Sequence, residues 1–185
     1  MNFPREYCGL CAITGKGAGL NELHLGLHSL QHRGQEAAGF MAMVDGRCRL
    51  HKGSGLVEDI FSSLPSRWHE VDIPRGIAHV RYSTAGGTGA GSAQPLMVEM
   101  AGRTAGIAHN GTLTNSGQLR RELVQQGAIF QTHSDTERFL HLVARSLIQR
   151  HGGNFLEALE EALRRVEGAF SLLIMTDEVL VAVRD

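Results

Sequence analysis

The residues best placed to do chemistry begin at Cys8, in the run Tyr7-Cys8-Gly9-Leu10-Cys11-Ala12-Ile13-Thr14-Gly15, a short apolar stretch with strand character. Were Met1 to Tyr7 removed, Cys8 would carry a thiol and a free α-amine on neighbouring atoms. An α-amine with its ordinary pKa of about 7.7–8.0 can accept a proton near neutrality, whereas the amide nitrogen of an internal cysteine cannot. Nucleophile and base would then share one residue, and segment 1–7 would be a pro-segment that keeps the uncut chain inactive. The plainer reading makes Cys8 a buried apolar residue that opens a strand.

Other polar constellations could serve such a nucleophile. His79-Val80-Arg81-Tyr82-Ser83-Thr84 sets an arginine and hydroxyls at a strand end beside a glycine-rich run. A guanidinium there can grip both oxygens of a substrate carboxylate, although a surface ion pair would explain it as well. Ala108-His109-Asn110-Gly111 is expected as a polar turn after a strand. Its Asn amide and Gly N–H are two neutral donors that could meet one oxyanion, and Asn-Gly is also the common sequence of a tight hairpin turn. Asp135, beside Ser134 at a helix start, could hold a substrate ammonium or simply favour the helix dipole.

The elements that must carry these residues alternate between strands and helices. Leu20, Leu23, Leu27 and Leu30 recur at helical spacing and predict a helix over 20–32, followed by the polar turn Gln31 to Glu36. A strand over 37–44 should turn at Asp45-Gly46 into a second over 47–52, with a short helix over 56–64 ended by Pro65. Strands are expected at 76–82, 96–100 and 104–109, with a glycine-rich loop over 85–91. Asn115 should cap a helix to Gln126, and Ser134-Asp135-Thr136-Glu137 has the capping-box pattern. A further helix carries Phe155, Leu159, Leu163 and Val166, and strands at 169–175 and 179–183 end the chain. Helices collected in blocks around several strands fit strands packed on strands and covered by helices.

Composition narrows the function classes. At 185 residues, 42% hydrophobic and 20% charged, the chain suits one domain with a substantial core. A formal net charge of −1 offers no broad basic field, so no nucleic-acid partner is expected. No stretch approaches the roughly 20 apolar residues that span a bilayer, so no membrane partner is expected either. Three cysteines, an odd count, argue for a reducing, cytoplasmic setting over a disulfide framework.

Taken in order, Cys8-Gly9, Gln31-His32-Arg33-Gly34-Gln35-Glu36-Ala37-Ala38-Gly39, His79 to Gly86, Ala93-Gln94-Pro95, Ala108 to Gly111 and Ser134 to Glu137 resemble a class II glutamine amidotransferase domain. The resemblance is nearest to the glutaminase half of the amidophosphoribosyltransferases, which begin purine synthesis, and it runs from Cys8 to Asp185. It implies an α+β fold, the four-layer αββα sandwich of N-terminal-nucleophile hydrolases, and release of ammonia from glutamine through a cysteine thioester. It implies that Cys8 is the nucleophile and its freed amine the base, with Asn110 and Gly111 as the oxyanion hole. Arg81, aided by Thr84, would hold the glutamine α-carboxylate and Asp135 the α-ammonium, while Arg33 resembles a residue that organises the site near the nucleophile.

The domain plan implied is a pro-segment over 1–7 and a glutaminase domain over 8–185, with the phosphoribosyltransferase domain of relatives absent from this chain. No cofactor is expected in the chain. The implied partners are glutamine and a phosphoribosyltransferase domain or subunit that receives the ammonia; a homo-oligomer is compatible with the sequence. Alternatives are an unprocessed, catalytically silent regulatory or assembly module, or a glutaminase serving hexosamine or asparagine synthesis. Cys8-x-x-Cys11 as a redox pair and His28 with His32 as zinc ligands are weaker rivals, the latter for want of further ligands at metal spacing.

Overall fold

Every residue of the segment Ala37–Val44 is buried, although it pairs as an antiparallel strand. A strand without a wet face must be covered on both sides, and that requirement sets the layers of the molecule. The computed structural model describes residues 8–82, 93–149 and 153–185. The expected pro-segment 1–7, Thr84 and the glycine-rich run 85–91 lie outside the described residues.

The first half forms β1 (Gly9–Thr14), α1 (Leu20–Ser29), a 3-10 turn (Gln31–Arg33), β2 (Ala37–Val44), β3 (Arg47–Ser54), α2 (Val57–Ser62), a second 3-10 turn (Ser66–His69) and β4 (Arg75–Arg81). The second half forms β5 (Leu96–Met100), β6 (Arg103–Leu113), α3 (Ser116–Gln125), α4 (Asp135–Gln149), α5 (Phe155–Leu163), β7 (Gly168–Thr176) and β8 (Leu180–Arg184). Two antiparallel sheets result, ordered β1-β4-β2-β3 and β5-β6-β7-β8. Leu23, Leu27, Phe40, Phe61 and Trp68 join α1 and α2 to the outer face of the first sheet. Leu119, Phe139, Leu147, Phe155 and Leu159 join α3, α4 and α5 to the outer face of the second. Met41, Ile77, Ala108, Leu173 and Met175 fill the space between the sheets. The order helix, sheet, sheet, helix is the expected αββα sandwich.

Packing, more than propensity, holds the short helices. A ten-residue helix such as α1 is marginal alone, and burying Leu23 and Leu27 completely contributes roughly 1.5–3 kcal/mol each. Close approach of the sheets depends on Gly106, where a Cβ would overlap the Met41 sulfur. Among the described residues no helix is long and apolar enough to cross a membrane.

Candidate functional site

Side chains alternate along β1, and that alternation separates its two cysteines. Leu10 packs between the sheets, whereas Cys11 and Ile13 pack against the helices of the first layer. Cys8, two positions before Leu10, therefore shares the face between the sheets. Cys11 lies against Gly26 of α1, where a Cβ would stand 2.5 Å from its sulfur, and burial pushes its thiol pKa up. Thiols on opposite faces of one sheet cannot form the redox pair that the Cys-x-x-Cys spacing allowed.

Cys8 is gripped from both halves of the fold. Its carbonyl accepts Arg33 Nε–H at 3.0 Å and Asn110 Nδ2–H at 3.1 Å, from partners 25 and 102 residues away in sequence. Its thiol lies 3.9 Å from the Tyr82 carbonyl, one residue beyond the end of β4. Continuing the β1–β4 pairing of Gly9 with Val80 by one step sets Cys8 beside Arg81. Ile77 of β4 packs between the sheets, so by alternation His79 and the half-buried Arg81 share that face.

The Gln-His-Arg-Gly turn shows why those residue types are needed. Gln31 donates its amide to the Gly34 carbonyl and accepts the Val57 N–H at 2.7 Å, which ties the turn to the start of α2. Gly34 lies on the end of β4, where a Cβ would stand 2.5–2.8 Å from the backbone C, O and N of Arg81. Only glycine lets the turn sit there, and Arg33 then reaches the Cys8 carbonyl. The 20–32 helix expected from leucine spacing accordingly ends at Ser29, because Gln31 and Arg33 are drawn into this turn.

Asn110-Gly111 does not form the expected turn. Both residues lie within β6, which runs to Leu113 because β7 pairs with it as far as Leu113 opposite Gly168. Gly111 adopts φ +138, and a Cβ there would overlap the Ala169 carbonyl oxygen, so the position requires glycine. In an antiparallel strand the N–H groups of alternate residues point to the same edge. His109 N–H meets the Gln94 Oε1 at 2.7 Å and Leu113 N–H meets Asp135 Oδ2 at 2.9 Å, both on the edge away from β7. The Gly111 N–H lies between them on that edge.

Asp135 opens α4 with its carboxylate already engaged by Leu113 N–H, the Ser116 hydroxyl and, at 2.5 Å, Arg138. A carboxylate offers about four acceptor positions, so one further donor can be taken. The capping box expected at Ser134 is rearranged. Ser134 Oγ accepts Thr136 N–H at 3.1 Å, while the Glu137 carboxylate turns back to the N–H groups of Gln131 and Thr132, both at 2.7 Å. Those bonds hold the Glu137 pKa down despite the opposing cost of partial burial. Thr84, the expected helper of Arg81, lies outside the described residues.

Two histidines are buried nearby. His79 is fully enclosed, and burial, reinforced by His109 and Arg81, lowers its pKa to about 3. Burial also lowers the pKa of His109, whose Nδ1 lies 3.2 Å from Thr136 Oγ1. An imidazole as weakly basic as His79 is a poor general base near pH 7, where the ideal pKa matches the working pH. Among the described residues no group of three or more His, Cys, Asp or Glu side chains could hold a metal ion.

Sequence reasoning quoted Gln94 within a motif but gave it no role, and it overlooked Lys52, which donates to the carbonyls of Ala93 at 2.7 Å and Pro95 at 3.2 Å. No local pattern signals either role, because the Gln94 bonds depend on its pairing with His109, 15 residues further along the chain.

Known proteins resemble the whole arrangement. A family model described as a glutamine amidotransferase domain matches residues 79–185. The amidophosphoribosyltransferase of Lacticaseibacillus casei is 40% identical over 180 residues, which cover 97% of this chain and 90% of that protein. That of Bacillus subtilis (strain 168) is 39% identical over 183 residues, covering 97% of this chain and 37% of its own length. A solved structure described as the allosteric regulatory enzyme of purine biosynthesis superposes with a TM-score of 0.84 at 39% identity, over 95% of this chain and 37% of the other. The glutamine phosphoribosylpyrophosphate amidotransferase from B. subtilis, complexed with ADP and GMP, superposes with a TM-score of 0.82 at 37% identity, again over 95% and 37%. The chain thus spans most of one curated relative and little more than a third of the other.

Proposed function

We propose, because this chain belongs to the glutamine amidotransferase domain family, that the Cys8 cluster hydrolyses glutamine to glutamate and ammonia. The observation that carries the reading is the meeting of Arg33 and Asn110 on the Cys8 carbonyl, which fixes one cysteine at the seam between the sheets. In this reading residues 1–7 are removed and the α-amine of Cys8 takes the thiol proton. The sulfur attacks the side-chain amide carbon of glutamine, and negative charge gathers on the amide oxygen. Asn110 uses one of its two amide N–H groups on the Cys8 carbonyl, which leaves the other for that oxyanion, with Gly111 N–H as its companion. The carbon–nitrogen bond breaks as the α-ammonium returns its proton to the leaving nitrogen, and ammonia departs from a γ-glutamyl thioester. Water then attacks the thioester, its proton passing to the amine, and glutamate and the thiol are regenerated.

Arg81 takes the α-carboxylate as a planar fork, with Thr84 assisting, and Asp135 takes the α-ammonium with its remaining acceptor capacity. Arg33 acts through Cys8, holding the backbone of the nucleophile. No cofactor is called for by this chemistry. The whole-protein activity we propose is that of the amidophosphoribosyltransferases, in which the ammonia passes to a phosphoribosyltransferase domain or subunit in a cytoplasmic enzyme. The test is direct. Mass measurement should show a purified chain beginning at Cys8, that chain should release ammonia from glutamine, and Cys8→Ala should abolish release with the fold intact. A processed, folded chain that releases none, or an active Cys8→Ala, overturns the reading.

A further inference from the structure

We propose that Gln94 is a positioning residue for the oxyanion donors, a role that rests on the glutaminase reading above. β5 pairs with β6 from Met100 opposite Arg103 to Leu96 opposite Ile107. Two residues further, the ladder would set Gln94 opposite His109, and there the side chain of Gln94 does what a strand backbone would do. Its Oε1 accepts His109 N–H at 2.7 Å and its Nε2 donates to the His109 carbonyl at 3.3 Å. A primary amide has the donor and acceptor of a peptide group, so these two bonds close the ring that an antiparallel partner would close.

Gln94 is itself held. Lys52 Nζ donates to the carbonyls of the residues on either side, Ala93 and Pro95. Gly39 leaves room for it, since a Cβ there would stand 2.5 Å from the Gln94 carbonyl oxygen. The first sheet thereby grips the segment that pins β6 of the second. His109 directly precedes Asn110, and the next N–H on the same strand edge belongs to Gly111. The Gln94 amide and Asp135 thus bracket that edge, at His109 and at Leu113. Releasing one bracket lets the edge shift, and a displacement of about 1 Å at reacting groups can cost about 10²-fold in rate. Glutamine is held by other groups, so its ground-state binding is not what Gln94 sets.

The experiment uses the full chain after removal of residues 1–7, comparing the unsubstituted protein with Gln94→Met, which keeps volume without either bond, and Gln94→Glu, which keeps the acceptor alone. Turnover of glutamine and competition by two probes are measured. One probe is glutamate, a ground-state competitor; the other is glutamate γ-semialdehyde, whose thiohemiacetal oxygen occupies the oxyanion position. Gln94→Met should lower kcat about 10²-fold, with KM for glutamine and competition by glutamate little changed. Affinity for the semialdehyde should fall by the same factor as kcat, and Gln94→Glu should lie between. A folded Gln94→Met with undiminished kcat overturns the proposal, as does a loss of rate matched by a loss of glutamate binding or unaccompanied by a loss of semialdehyde binding. If Gln94→Met fails to fold, Gln94→Glu decides by the same criteria. An active unsubstituted chain with undiminished variants refutes the Gln94 role alone, whereas an inactive one overturns the glutaminase reading and this role with it.

Discussion

Replacing His79 by phenylalanine should change how the stability of the fold depends on acid. His79 is fully buried on β4, neither ring nitrogen has a well-placed hydrogen-bond partner among the described residues, and the His109 backbone offsets little of the burial cost. Its pKa in the fold is about 3 against an ordinary 6.5, so the imidazole stays neutral in the folded chain while the unfolded chain charges it below pH 6.5. The unfolded state then binds one more proton, and stability falls with falling pH by a slope that approaches about 1.4 kcal/mol per unit. Between pH 6.5, where the unfolded imidazole is half charged, and pH 4.5 the loss amounts to about 2 kcal/mol, and it levels off near pH 3 where the folded chain titrates too. Well above pH 6.5 the full contribution is present and the residue adds no slope. The substitution would remove this proton uptake while keeping a ring in the space, whereas contributions from carboxylates such as Glu137 remain in both proteins. Urea unfolding followed by circular dichroism at pH 7.5, 6.5, 5.5 and 4.5 measures the difference. His79→Phe should gain on the unsubstituted protein by about 2 kcal/mol from pH 6.5 to 4.5, whatever its starting stability. Parallel pH profiles for the two proteins would show that His79 is not buried as a neutral group.

Other substitutions address the site itself. Arg81→Lys should raise KM for glutamine roughly 10- to 100-fold with kcat nearly kept, since an ammonium cannot form the planar fork and a lost charge-assisted bond costs about 1.5–3 kcal/mol; an unchanged KM counts against the carboxylate role. Asn110→Ala should lower kcat by about 10²–10³-fold while weakening binding less, because its donor acts on charge that develops in the transition state; steady-state kinetics that show only a KM defect contradict it. Gly34→Ala should cost about 1–3 kcal/mol of stability together with a fall in kcat/KM, because its Cβ would stand within 2.8 Å of the Arg81 backbone. Denaturation and turnover both unaltered would mean that the turn does not hold Arg33 in place.

What could be read from the chain was what local rules decide. Asp45-Gly46 joins β2 to β3 with φ 51 and φ 72, the pair of positive values that an Asp-Gly hairpin turn demands. The outer cores followed from leucine and phenylalanine spacing, as at Leu20, Leu23 and Leu27 of α1. Where the reading failed, a distant partner had the deciding voice. Asn110-Gly111 looks locally like another hairpin turn, and only pairing with Ser171 and Phe170 of β7 makes it strand. Asn115 stands at the start of α3 as expected, yet its side chain caps nothing there; it bonds the Arg165 carbonyl at 2.8 Å and the Glu167 N–H at 3.2 Å. Cys8, Arg33 and Asn110 come from elements that no periodicity links, so their expected roles came from ordered motifs and not from spacing. The structure brings those three together, with Arg81 one step along the pairing and Asp135 on the same strand edge as Gly111.

The bond from Asn110 to the Cys8 carbonyl joins the two sheets through residues 102 apart in sequence. Contacts so remote in sequence require large loop closure and form late when a chain assembles. A molecule with both sheets formed but not yet docked would possess its thiol and its arginines without a completed pocket. Such a half-assembled enzyme would leave glutamine untouched, and recovery of turnover during refolding would trail recovery of secondary structure.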